Sequence, residues 1–156
     1  MGSAHSRIAA LVAVGLVGVL AGAASAADEG LGVFIEKRCY TCHTVNARAA
    51  EVDKQKAAFL KESGAEAGED EEEDKESKGG DLSDVGKKRD KAWLDSFLKS
   101  PKGQFKDDAE CQREAKKKDR KKFKGTPEDF DKLAAFLLGL KQEAKQAPGF
   151  TSCLKE

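Results

Sequence analysis

Cys39-Tyr40-Thr41-Cys42-His43 sets two thiols three residues apart and an imidazole directly behind the second. Three chemistries use cysteines at this spacing: a redox dithiol, a zinc site and a covalently anchored haem. A thioredoxin-type dithiol follows a strand in a βαβ pattern, and no alternating β-branched run precedes Cys39. A zinc site lacks its second CxxC or HxxxH, and consecutive Cys and His on one turn are poorly placed for a tetrahedron. Haem attachment needs this order. Thiols on one helical turn reach the two vinyl groups, and the imidazole that follows is carried beneath the iron.

The N-terminus sharpens the role of His43. Arg7 precedes an apolar stretch from Ile8 to Leu20, and small residues follow, ending Ala24-Ser25-Ala26. Charge, short apolar core and A-x-A site read as a secretory signal peptide over residues 1–26, with an uncleaved anchor as the alternative. Export implies a periplasmic or otherwise extracytoplasmic protein. Met1 and His5 leave with the signal, so the mature chain has no methionine and a single histidine, His43. No apolar run reaches the ~18 residues that a spanning helix needs, so no integral span is expected in the mature chain. The 28 Lys+Arg balance 28 Asp+Glu, which leaves no global field to attract nucleic acid.

The mature chain reads as one all-α domain over 27–146, with a C-terminal tail over 147–156. Leu31, Phe34 and Ile35 give an apolar stripe to a first helix over Leu31–Thr44, and a second helix is expected over about Ala47–Glu62. Residues 63–80, centred on Glu69-Asp70-Glu71-Glu72-Glu73-Asp74, form a self-repelling acidic insertion. It reads as a tolerated surface segment or as a docking loop. Trp93, Leu94, Phe97 and Leu98 lie on a helix over Asp90–Lys99 that stops before Pro101. The last helix begins at the N-cap Thr126, with Pro127 in its first position. It buries Phe130, Leu133, Ala134, Leu137 and Leu140.

From Gly30 to Lys141 the sequence resembles a class I monohaem c-type cytochrome, on CxxCH, Gly30 and Phe34 ahead of it, the Trp/Phe-Leu helix and the aliphatic last helix. The resemblance implies four to five helices around one haem c, with thioethers at Cys39 and Cys42 and His43 as proximal ligand. It also places Trp93 near the haem edge and propionates, with two compatible readings: the indole N–H as a donor to a propionate, and ordinary core burial. The family's distal methionine is missing, because Lys121-Lys122 stands in its place. Cys111, Cys153, Lys121 or an open position remain. A thiol ionises more easily than an ammonium, and Arg113, Lys116, Lys117 and Lys118 would favour the anion of Cys111. Cys111 is therefore the expected distal ligand, as in the His/Cys-ligated (NaxL/NaxS-like) subgroup, with a low potential as the consequence. The competing expectation is a Cys111–Cys153 disulfide, which leaves the iron five-coordinate or lysine-bound.

The expected function is outer-sphere electron transfer with no substrate chemistry. Two alternatives are a haem that binds NO or CO and a haem subunit of a heteromeric redox complex. The run Lys116–Lys124 would steer an acidic redox partner, and association as a homo- or heterodimer is open.

Overall fold

The computed structural model describes residues 26–64, 79–117, 120, 122–145 and 150–156. The expected signal peptide, most of the acidic insertion and Lys121 lie outside the described residues. Six helices occur among those described: α1 Ala26–Glu36, α2 Ala49–Glu62, α3 Val85–Lys88, α4 Lys91–Lys99, α5 Ala109–Ala115 and α6 Pro127–Gly139. The fold is all-α. Its β-type pairings among the described residues are two isolated bridges, Thr44 with Asp81 and Phe105 with Leu154.

Local chemistry explains most helix limits. Thr126 and Asp129 form a reciprocal capping box at the start of α6, as Thr126 Oγ1 accepts from the Asp129 N–H and Asp129 Oδ2 from the Thr126 N–H. Asp90 caps α4 by accepting from the Trp93 N–H at 2.8 Å, and Asp108 caps α5 by accepting from the Cys111 N–H at 2.9 Å. The expected first helix through Thr44 is corrected. α1 ends at Glu36 because Arg38 takes left-handed φ 54°, which breaks the α ladder. Cys39–Thr41 then form a tight 3₁₀ turn.

The core forms where α1 packs on α6. Leu31, Phe34 and Ile35 meet Leu133, Phe136 and Leu137, with Phe34 and Phe136 ring centroids 5.7 Å apart. Each such side chain contributes roughly 1.5–3 kcal/mol on full burial. Gly30 permits the approach, since a Cβ there would lie 2.1 Å from the Lys132 carbonyl oxygen. A second cluster unites Phe105, Cys111 and Ala115 with Phe150, Cys153 and Leu154. The tail thus returns to the body of the domain and is fastened there by a Cys111–Cys153 disulfide. Lys106 N–H donates to the Cys153 carbonyl, and Lys155 N–H donates to that of Gln104.

Two glycines of α1 make opposite predictions. Gly30→Ala gains about 1 kcal/mol of helix propensity, but the overlap with backbone costs about 3 kcal/mol, so a net loss is expected. Nothing lies within 4 Å of a Cβ built at Gly32, so Gly32→Ala should stabilise by about 0.5–1 kcal/mol. Urea unfolding of both variants measures the pair, and equal effects would contradict this packing.

Candidate cofactor site

Between α1, α4, α6 and the tail lies a mostly apolar, partly open cleft of about 170 Å³. Phe34, Leu133 and Leu137 of the core form its floor, Trp93, Leu94, Phe97 and Leu98 of α4 one wall, and Phe150, Thr151 and Leu154 of the tail another. Cys39 and His43 face this space from the CxxCH turn. Cys42 is half-buried on the same turn, and neither Cys39 nor Cys42 is in a disulfide.

The turn is held by backbone bonds, with the N–H groups of Cys42 and His43 both donating to the Cys39 carbonyl. Gly79 N–H donates to the Cys42 carbonyl at 2.7 Å, which brings the chain's one Gly-Gly pair against the imidazole. A Cβ at Gly79 would lie 2.5 Å from both Cε1 and Nδ1 of His43. Burial pushes the His43 pKa below its ordinary value, with the neighbouring backbone of Gly79 and Gly80 acting the other way, and its buried Nδ1 has no hydrogen-bond partner. Burial also pushes the Cys39 thiol up to about 11.

Asp81 anchors this segment. Its Oδ1 accepts from the N–H groups of Asn46 and Ser83 at 3.1 Å each and from the Ser83 hydroxyl at 2.6 Å. Its Oδ2 accepts from Asn46 Nδ2 at 3.0 Å and from the Lys145 N–H at 2.8 Å. Ser83 Oγ in turn accepts from the Ala47 N–H. Burial alone would raise the Asp81 carboxyl, but these donors more than offset it and hold it at about 2.

The expected site residues divide. Cys39 and His43 share the cleft, and Trp93 lines it, but the indole N–H is committed to the Lys155 carbonyl at 3.1 Å. The expectation that this N–H reaches a propionate is corrected: the returning tail supplies its acceptor. Trp93 also stacks on Phe97 at 4.9 Å, with the Arg89 guanidinium 4.2 Å over its ring. Cys111 as distal ligand is likewise corrected. Its sulfur is bonded to Cys153, α5 turns it into the cluster with Phe105 and Phe150 behind the tail wall, and Cys111 is not among the residues that line the cleft. A sulfur in a disulfide carries no thiolate for iron, so the His/Cys reading and the low potential drawn from it lose their ligand. Of the basic run, Lys116, Lys117, Lys122 and Lys124 are exposed, while Lys118 and Lys121 lie outside the described residues.

Sequence reasoning missed Gly79, Asp81 and the tail wall. The Gly79-Gly80 pair was an available signal, because adjacent glycines allow the backbone to approach a neighbour closely. The site fits a haem on its own geometry. An apolar cleft, a pair of unjoined cysteines on one turn and an imidazole in a glycine cradle meet at one place. No group of three or more His, Cys, Asp and Glu among the described residues is arranged to hold a metal ion.

Comparison with protein-family models matches cytochrome c over residues 27–141. The chain belongs to the cytochrome c family. Comparisons with curated proteins and with solved structures returned no match. A cytochrome c binds one covalently attached haem c and serves as a haem-based electron carrier. The match ends before the tail, so the wall built by Phe150, Thr151 and Leu154 stands outside the shared cytochrome c segment. No helix among the described residues is long and apolar enough to cross a membrane.

Gly79→Ala should displace the imidazole, lowering the yield of haem-loaded protein and altering its visible spectrum; a wild-type spectrum at full yield would contradict the cradle. Asp81 makes a pH prediction. Its folded pKa of about 2 lies below the ordinary 3.8, so its stabilisation is present above pH 3.8 and is lost as pH falls toward 2. The wild type should lose about 2 kcal/mol more than Asp81→Asn over that interval, measured by denaturant titration at fixed pH values.

Proposed function

We propose that this cytochrome is an exported electron carrier whose haem c is joined by thioethers to Cys39 and Cys42, with His43 as the proximal ligand. The observation that carries the reading is the CxxCH turn on an apolar cleft, with the His43 imidazole held in the Gly79 cradle. Bound haem supplies one-electron chemistry. The chain's own residues would orient the imidazole, exclude water with the α4 and tail walls, and set Trp93 beside the haem edge. Exposed Lys122 and Lys124 adjoin the cleft through the Phe123 N–H, which donates to the carbonyl of the cleft residue Leu98. With Lys116 and Lys117 they would steer an acidic redox partner, raising its encounter rate at low salt.

The disulfide favours a second reading, in which the distal position is open or lysine-bound and the iron takes up CO or NO. It consumes both thiols that would otherwise compete for that position.

The carrier reading predicts that purified protein cycles reversibly between oxidised and reduced spectra, with one haem surviving acid–acetone extraction. Cys39→Ser with Cys42→Ser should release that haem, and retention of it would refute the thioether assignment. A CO-induced spectral change in the reduced wild type would move the distal assignment to an open site; the same change confined to Lys121→Ala would assign the ligand to Lys121.

A further inference from the structure

Asp81 and Ser83 are the two polar side chains buried among the described residues, at 2% and 0% exposure. Asp81 also faces the cleft, and the five donors on its carboxylate are all neutral: backbone N–H groups, one amide and one hydroxyl. Asp84, the other acid on the cleft lining, is paired with Lys88 at 2.5 Å. Asp81 has no such cation among the described residues, so it places a full negative charge in an apolar wall. The donors reach it from positions 46, 83 and 145. One carboxylate therefore ties the segment after CxxCH, the Gly79–Gly86 segment and the chain beyond α6 to a single point.

Two effects on a haem iron follow. Thr44 N–H donates to the Gly80 carbonyl and Leu82 N–H to the Thr44 carbonyl, flanking Asp81 on both sides. The carboxylate thereby fixes the two-residue segment that presses on His43. Reduction also removes one positive charge from the iron, and a fixed anion in a low-dielectric wall favours the more positive, oxidised state. Donor hydrogen bonds moderate that field without cancelling the charge.

We propose that Asp81 is a positioning and tuning residue of the haem site, a buried anion that holds the Gly79-Gly80 cradle against His43 and lowers the midpoint potential. The cradle half of this rests on His43 as proximal ligand. The charge half rests on the cleft alone.

Spectroelectrochemical titration of haem-loaded Asp81→Asn and Ser83→Ala tests it. Asp81→Asn removes the charge and keeps an oxygen acceptor, so its midpoint potential should rise. Ser83→Ala keeps the charge and removes the shortest hydrogen bond to it, so its potential should fall. A general loosening of the pocket would move both variants the same way, and that result, or an unchanged potential in either, would overturn the proposal. Where Asp81→Asn yields no folded holoprotein, the Ser83→Ala shift decides alone, with a fall expected and a rise or no change against. Failure of the His43 assignment is seen separately, as a ferric spectrum unchanged by His43→Ala.

Discussion

The close approach of α1 and α6 at Gly30 governs the rest of the molecule. Because no side chain intervenes there, Phe34 and Phe136 can pack at 5.7 Å and the two helices share one core. α1 delivers the CxxCH turn directly after its last residues, while α6 contributes Leu133 and Leu137 to the cleft floor. The same contact thus joins the CxxCH turn to the floor of the cleft. Gly86 repeats the device at the far end of α6, with its N–H donating to the Leu140 carbonyl. A side chain there would strike the Leu138 carbonyl.

Around this pair the chain is drawn in by polar anchors and one covalent bond. Asp81 gathers donors from positions far apart in sequence, and its burial is tolerated because every donor aims at an ionised acceptor. The tail is held differently, by the disulfide and by backbone acceptors. The Lys155 carbonyl alone accepts from Trp93 Nε1 and Arg89. One anchor serves the imidazole side of the cleft, and the other builds the wall that lies beyond the segment shared with the family.

What could be read from the sequence was what short-range chemistry dictates. CxxCH is legible because its spacing sets two thiols and an imidazole on one short stretch of chain, and the structure turns Cys39 and His43 to the cleft. The start of α6 is legible because Thr126, Pro127 and Asp129 act within a single turn. The body of α4 is likewise legible from its apolar pattern. The remainder depended on distance. Asp81 looks like any loop aspartate until Asn46 and Lys145 arrive from 35 and 64 residues away. Cys111 looked like a ligand because it lies near the family's methionine position in sequence. Closeness along the chain did not become orientation: Asp108 caps α5 so that Cys111 points into the second cluster, where Cys153 meets it. The early end of α1 turned on one left-handed residue, Arg38, whose side chain carries no local signal for that conformation.

Cys111 and Cys153 hold the tail, and Cys39 and Cys42 stay unjoined on the CxxCH turn, where the proposed function gives them the cofactor. Mass-spectrometric mapping of proteolytic peptides from exported protein, digested without reductant, tests this division directly. The account predicts one peptide containing Cys39 and Cys42 that carries the mass of a haem, and a separate disulfide-linked pair containing Cys111 and Cys153. Unmodified Cys39 and Cys42, or Cys111 recovered as a free thiol, would contradict it.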